Sequence, residues 1–180
     1  MKLSSILCSI TLLLFLSGYV HAQKAQFPIV KGYGGIFDIP DAVEKPDPSM
    51  KYRIVVDIVT ADEDPKVLST SLNNVARMIN IHAIGGVPKE NIEVVLGIHG
   101  LMAFAIQDND SYKKRYGVDN PNLGILKALD EAGVQMFICG QSMVARNIPK
   151  ETLAPEIQIA TSMLTVLTTY QLKGYAAFRF

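Results

Sequence analysis

Cysteine is scarce in this chain of 180 residues, since it occurs only at Cys8 and Cys139. Cys8 lies inside an apolar N-terminal segment that we expect to be removed, so Cys139 would be alone in the mature protein and could form no intramolecular disulfide. In an oxidising compartment, an unpaired thiol is buried and inert, paired between chains, or retained for chemistry. The sequence leaves these three alternatives open.

An excess of charge of either sign is also missing, because 17 Lys and Arg residues balance 17 Asp and Glu residues. The only basic run, Lys113-Lys114-Arg115, is best explained as the solvated face of a helix. We therefore expect no binding to nucleic acid. The mature chain offers only His82, His99 and Cys139 as soft metal ligands, and His82 falls in a predicted helix, so we expect no metal site. No sequence motif predicts a cofactor.

A long apolar run occurs only at the N-terminus. Lys2 precedes an apolar stretch from Ile6 to Leu16, and Val20-His21-Ala22 is similar to a cleavage site with small residues. The stretch is shorter than the roughly 20 residues that cross a bilayer. We predict a signal peptide at residues 1–22, a periplasmic or secreted location, and no membrane segment after cleavage. Loss of Lys2 would leave a formal charge of −1.

Residues 23–50 are predicted to form an extended N-terminal arm. Pro40, Pro46 and Pro48, with acidic residues between them, disfavour regular structure there. The glycine-rich residues 31–35 follow no strong strand and open no helix, so we do not expect them to hold phosphate. Apolar side chains can anchor the arm, either to its own domain or to a neighbouring subunit: Phe27, Ile29, Ile36, Phe37 and Ile39.

After residue 50, apolar runs typical of buried strands alternate with helical patterns. In chain order, the runs cover residues 52–60, residues 92–98, a stretch that ends at Cys139, residues 157–160 and residues 176–180. This alternation predicts a three-layer α/β/α sandwich with a mainly parallel five-stranded sheet for residues 51–180. The first helix is predicted to begin with Asp64 as its N-cap and Pro65 as its first residue.

Asp57 interrupts the first of these runs. A carboxylate in a buried strand needs polar partners. Asp57 is therefore either a residue of a sheet edge or interface, or a structural hydrogen-bond acceptor, and the structural role is favoured.

The carboxyl ends of parallel strands form one rim, where ligands and chemistry collect in open α/β folds. Cys139 would stand at this rim, and free amides at the start of the helix after it would favour a thiolate. His99 follows the second strand as a base or cationic partner, or as a structural histidine. We assign Cys139 and His99 as candidate catalytic residues. The candidate set for binding an anion or substrate is Gly140, Gln141, Ser142, Thr161 and Ser162.

Residues 137–148, FICGQSMVARNI, resemble the third-strand signature of the DsrE/DsrF-like family. The similarity extends over residues 51–180 and includes the approach LDEAGV at residues 129–134 and the closing Gly174-Tyr175. The resemblance implies the same three-layer sandwich and assembly as trimers or hexamers. In the sulfur-relay members of the family, a cysteine at the end of the third strand accepts sulfur as a persulfide and passes it on. The resemblance places that role on Cys139.

The chain departs from those members in its signal peptide, its arm and its Gly140-Gln141-Ser142 segment. An exported protein would not meet the cytoplasmic partners of tRNA modification or sulfite reduction. One hypothesis is an exported sulfur-handling protein, with Cys139 as persulfide carrier or reactive thiol and a sulfur donor or acceptor protein as its partner. The alternative is a non-catalytic oligomeric subunit that binds a small anion or a protein partner, with Cys139 serving only in packing.

Overall fold

A parallel sheet forms the centre of the computed structural model, which describes residues 23–180; the predicted signal peptide lies outside the described residues. The strand order is β4-β3-β2-β1-β5, and all four pairings are parallel. The prediction of a mainly parallel sheet with five strands is confirmed. The strands are β1 (Tyr52–Ile58), β2 (Ile92–Ile98), β3 (Gln135–Cys139), β4 (Ile157–Ala160) and β5 (Ala176–Arg179).

Six α-helices accompany the sheet within residues 23–180. Strands and helices alternate along the chain, as the predicted α/β class requires. Within the described part of the chain, no helix is both long and apolar enough to cross a membrane. The helices are α1 (Thr70–Ile84), α2 (Met102–Ala105), α3 (Asn109–Tyr116), α4 (Leu123–Glu131), α5 (Gly140–Arg146) and α6 (Met163–Leu172).

The two faces of the sheet carry cores of different size. The larger core joins one face to α1 and α4, and its strand residues include Ile54, Val56, Leu96 and Ile138. The smaller core joins the other face to α6 and contains Val55, Val95, Cys139, Met163 and Val166. Side chains alternate between the faces of a strand, so the same strands supply both cores. This arrangement confirms the three-layer sandwich and places Cys139 on the face covered by α6.

The first helix begins later than its sequence predicts. Its N-cap is Ser69, whose hydroxyl accepts a hydrogen bond from the amide of Leu72, and the helix starts at Thr70. Asp64 instead closes a turn, because its carboxylate accepts from the amide of Lys66 at 2.9 Å and its carbonyl accepts from Val67. The prediction of Asp64 as N-cap was wrong because Asp-Pro initiates a turn as readily as a helix.

The N-terminal arm packs against α1 through a buried asparagine. Asn80 is fully buried, and its side-chain oxygen accepts hydrogen bonds from the amides of Ile29 and Val30 at 3.0 and 2.9 Å. Its side-chain nitrogen donates to the carbonyls of Val30, Tyr33 and Gly34. The side-chain amide of Asn80 thus supplies hydrogen-bond partners to backbone groups of the arm that have none in a helix or sheet.

The apolar side chains of the arm differ in burial. Of the predicted anchors, Ile36 is buried, and Phe27 and Ile29 are partly buried. Phe37 and Ile39 were predicted to be anchors as well, but more than half of each is exposed. Contact of these two residues with a neighbouring subunit stays a prediction.

Candidate functional site

Cys139 ends β3 and is also the N-cap residue of α5. Only 5% of the residue is exposed, so its sulfur lies beneath the rim and not on it. An apolar run from Val134 brings the chain up through the sheet, and Gly140 starts the helix at once. The geometry therefore places the thiol at the carboxyl edge of the sheet, as its sequence predicts.

Four polar groups surround the thiol of Cys139. Burial acts most strongly on it and opposes ionisation. The amides of Met163 and Ser142 and the hydroxyls of Ser142 and Ser162 act in the opposite direction by favouring the thiolate. As a neutral thiol, Cys139 donates a hydrogen bond to the hydroxyl oxygen of Ser162 at 4.0 Å. Together these four groups outweigh burial, so the pKa of Cys139 lies below its ordinary value. A packing cysteine does not require such donors, whereas a thiolate does.

These donors come from the first turns of two helices. Ser142 lies in the first turn of α5 and is buried. Ser162 is the N-cap of α6, and Met163 is the first residue of that helix. Amides in the first turn of a helix have no partner within the helix and carry its positive dipole end. The thiol therefore lies where two helix starts converge.

Gly140 allows β3 and the end of β4 to approach closely. A Cβ atom on Gly140 would lie 2.9 Å from the carbonyl oxygen of Ala160 and 3.3 Å from that of Thr161. The first distance is shorter than real Cβ contacts and involves backbone, which cannot move aside easily. A side chain here would push the start of α6 away from Cys139.

Gln141 and Thr161, two members of the predicted binding set, are exposed. Neither side chain is hydrogen bonded to another group among residues 23–180, and neither contacts the thiol. Their binding of an anion stays a prediction. Of the predicted set, the structure brings Ser142 and Ser162 close to Cys139. Gly140 belongs to the site because the close approach of β4 leaves no room for a side chain at this position.

His99 is paired with a carboxylate and not with the thiol. Its Nε2 lies 2.7 Å from Oδ1 of Asp57, and the second carboxylate oxygen of Asp57 lies 3.7 Å from Nε of Arg179. His99 is not among the groups that contact Cys139. It nevertheless follows Ile98, which pairs in register with Ile138, so His99 and Cys139 stand at the same level of neighbouring strands. A direct Cys139–His99 hydrogen bond is thus absent among the described residues.

Asp57 and Arg179 belong to this rim but are not among the residues chosen from the sequence. The structural role favoured for Asp57 is confirmed to the extent that it accepts a hydrogen bond. Asp57 is the second-last residue of β1, which places it near the rim. Arg179 reaches it because β5 pairs with β1 and places Arg179 opposite Asp57. Nothing in the sequence indicates that the last strand lies beside the first.

Two further features describe the surroundings. Among residues 23–180, no three His, Cys, Asp or Glu side chains lie close enough together to hold a metal ion. Beside Gly140 there is an open apolar groove of about 560 Å³, which runs between α5 and β4. Its walls are formed by Met143, Val144, Ile148, Pro149 and Ile159.

The fold and rim define an α/β sandwich protein with a hydrogen-bonded cysteine at the end of its third parallel strand. The model of the DsrE/DsrF-like family matches residues 53–180, and the chain belongs to this family. The family is generally linked to sulfur relay. No curated protein matches the chain.

Solved structures that share the fold include the two described next. A protein of unknown function, MTH1491 from Methanobacterium thermoautotrophicum, is 18% identical with a TM-score of 0.53, over 72% of this chain and 99% of that one. The YchN protein of E. coli is 16% identical with a TM-score of 0.50, over 71% of this chain and 99% of that one. At these identities the similarity establishes the fold alone.

Proposed function

We propose that this chain is an exported sulfur-handling protein in which Cys139 carries sulfur as a persulfide. The observation that carries the proposal is the position of Cys139 at the end of β3, with its sulfur 4.0 Å from the hydroxyl of Ser162 that caps α6. Groups of Ser142, Ser162 and Met163 lower the pKa of this thiol. Membership of a family linked to sulfur relay gives the chemical class. The predicted signal peptide supports a periplasmic or secreted location.

The chemistry is a nucleophilic transfer of one sulfur atom. The Cys139 thiolate attacks the outer sulfur of a donor persulfide or polysulfide, and a new S–S bond forms at Sγ. The S–S bond of the donor breaks, and its electron pair leaves on the inner sulfur as a thiolate, which takes up a proton. Because no electrons are gained or lost overall, no separate oxidant is required. The amides that favour the thiolate also favour the persulfide anion that replaces it.

The low exposure of Cys139 favours a small donor. With 5% of the residue exposed, an inorganic polysulfide can approach where a folded protein cannot place its own cysteine. A partner protein would accept sulfur only after the first turn of α5 or α6 has moved. Transfer to such a partner should therefore be slower than loading.

Intact-mass analysis tests the proposal. The mature protein is incubated with polysulfide or with thiosulfate, separated from excess reagent and weighed beside Cys139→Ser. We expect the native chain to gain one or more sulfur atoms that dithiothreitol removes, and the variant to gain none. Equal uptake by both proteins, or uptake by neither, would contradict carriage on Cys139. Cys139→Ser is nearly isosteric, so its fold can be checked by circular dichroism.

The second candidate function is a non-catalytic oligomeric subunit that binds a small anion or a protein partner. The exposure of apolar side chains on α6 favours it: Leu164 is 75% exposed and Leu172 is 84% exposed. A helix that faces solvent with leucine is typical of a surface that another subunit covers. A homo-oligomer, as a trimer or hexamer, is compatible with either function.

Alkylation separates the two candidates. In the folded protein near neutral pH, a sulfur carrier should react with iodoacetamide at Cys139 faster than free cysteine does. In a binding subunit whose cysteine serves only in packing, the thiol should resist until the protein is unfolded in urea.

A further inference from the structure

We propose that Asp57 is a positioning residue, whose carboxylate holds the His99 imidazole with its proton on Nε2, so that Nδ1 exchanges a proton with the sulfur chemistry at Cys139. The inference rests on the proposed function of Cys139. It assigns a role to a residue that the sulfur chemistry described above does not use.

The first step is the geometry of the pair. Nε2 of His99 lies 2.7 Å from Oδ1 of Asp57, which is a short, charge-assisted distance. Only 14% of the Asp57 side chain and 28% of the His99 side chain are exposed, so water screens the contact weakly. The other charged group on Asp57 is Arg179, at 3.7 Å. Arg179 is largely exposed and comes from the outer strand β5.

The second step is the face on which these residues lie. A Cβ atom on Gly97 would meet Met163 and Val166, so Gly97 faces α6. Side chains alternate along a strand, so His99, two residues further on, faces the same side. Asp57 pairs in register with Gly97, and Cys139 packs against Met163 on this face. Asp57, His99 and Cys139 therefore occupy three adjacent strands on one face, with His99 in the middle.

The third step is the tautomer. A carboxylate can only accept a hydrogen bond, so the neutral ring must carry its proton on Nε2. Its Nδ1 then keeps a free lone pair, and Nδ1 has no hydrogen-bond partner among residues 23–180. A ring held in this way can receive the proton of the Cys139 thiol through one water. Cys139 and His99 follow residues that are paired in register on neighbouring strands, whose backbones lie about 4.8 Å apart, so a single water can bridge the two side chains.

The proton balance is simple. One proton passes from Sγ of Cys139 to Nδ1 of His99, which gives a thiolate and an imidazolium that the Asp57 carboxylate stabilises. When the donor persulfide is cleaved, the imidazolium returns that proton to the departing sulfur. His99 ends with the protons it began with, and the Asp57 carboxylate takes no part in the transfer.

The tautomer itself is the first test, and it needs no variant. Two histidines follow the predicted cleavage site. Nδ1 of His82 lies 2.8 Å from the carbonyl oxygen of Met78, so His82 must carry its proton on Nδ1. A long-range ¹H–¹⁵N spectrum of the neutral rings should show one ring of each tautomer. Asp57→Asn should abolish the preference of His99 and leave His82 unchanged. A native His99 with its proton on Nδ1 would overturn the proposal.

The second test is kinetic. The rate constant for iodoacetamide at Cys139 is measured across pH for the native protein, Asp57→Asn, His99→Ala and the double variant. We expect each single variant to react about three- to tenfold more slowly near neutral pH, the effect of losing a nearby partner charge. The double variant should be no slower than His99→Ala, because Asp57 acts through His99. Additive losses, or no loss in Asp57→Asn, would overturn the proposal.

Two controls separate this proposal from others. Asp119→Asn removes an exposed carboxylate that is paired with Lys113, and it should change neither the tautomer nor the rate. The urea midpoint of Asp57→Asn reports any loss of fold. Sulfur uptake on Cys139 is measured separately by mass. If uptake fails while the coupling of Asp57 and His99 holds, the proposed function is overturned and the positioning of His99 is not.

Discussion

The hydroxyl of Ser162 lies 4.0 Å from Sγ of Cys139 and also accepts a hydrogen bond of 3.2 Å from the amide of Leu164. The group that caps α6 is therefore one of the groups that surround the thiol. Because α6 packs on the sheet through Met163 and Val166, the core fixes the electrostatics of the cysteine. Changes in the packing of α6 should alter the reactivity of Cys139.

The first prediction concerns pH. Since the pKa of Cys139 is lowered in the folded protein, the thiolate stabilises the native state at pH values above the ordinary thiol pKa. That contribution is lost as the pH falls through the lowered pKa. The difference in free energy of unfolding between the native protein and Cys139→Ser should therefore grow as the pH rises towards about 8.5. Urea titrations at several pH values measure it, and a difference that shrinks with rising pH would contradict it.

Removal of the hydroxyl donors should raise the pKa of Cys139. In Ser142→Ala and Ser162→Ala, we expect the thiolate absorbance to appear at higher pH than in the native protein, because a hydroxyl that lowers the pKa of the thiol is gone. Thr168→Ala is the matched control, since its hydroxyl donates to the carbonyl of Leu164 within α6 and makes no hydrogen bond to the thiol. An unchanged titration in both serine variants would show that the two backbone amides alone favour the thiolate.

Gly140→Ala should destabilise the fold and disturb the site together. The new Cβ would lie 2.9 Å from the carbonyl oxygen of Ala160, and overpacking of this kind costs about 1–3 kcal/mol. Urea unfolding measures the loss, and Cys139 alkylation should change in the same variant. The control is Gln141→Ala at the next, exposed position, which should stay within about 0.5 kcal/mol of the native protein.

Asn80→Ala should release the arm from α1. The substitution leaves backbone amides and carbonyls of residues 29–34 without partners, which we expect to lower the free energy of unfolding by about 2–4 kcal/mol. Hydrogen exchange of residues 23–50 should accelerate more than that of the sheet. Asn74→Ala, on the same helix and without such bonds, is the control. Equal stability of the two variants would contradict the role given to Asn80.

The exposed leucines of α6 predict a subunit interface. Leu164→Glu places a charge where the proposed interface would be dry, so the assembly should dissociate in light scattering at micromolar concentration. Val67→Glu introduces the same charge at an exposed apolar position before α1 and should leave the assembly intact. A native protein that is already monomeric would remove the support for this interface.

Much of the fold could be predicted because its signals are local. The apolar runs fix the strands to within two residues. Ser162, a residue type favoured at N-caps, precedes α6, and Gly85 ends α1. The start of α1 could not be predicted, because Asp64 and Ser69 both offer capping side chains and tertiary packing decides between them. The contact of Asp57 with His99 could not be predicted either. It depends on the strand order, which places β1 beside β2 and which no single segment of the sequence determines.

The site was predictable in part for the same reason. Cys139 and Ser142 are neighbours in the sequence, so their proximity follows from one strand and one helical turn. Ser162 and Met163 reach the thiol only because β4 pairs with β3 and puts Ala160 opposite Cys139. Which side of the rim His99 turns towards depends on a rotamer that its own sequence does not determine.

Because β5 pairs with β1 and places Arg179 opposite Asp57, the sheet can be completed only after β5 has been synthesised. Strand β1 is synthesised first and β5 last, yet the two lie side by side, and the amide of Phe180 donates to the carbonyl of Asp57. A chain still on the ribosome lacks this edge of the sheet until β5 emerges.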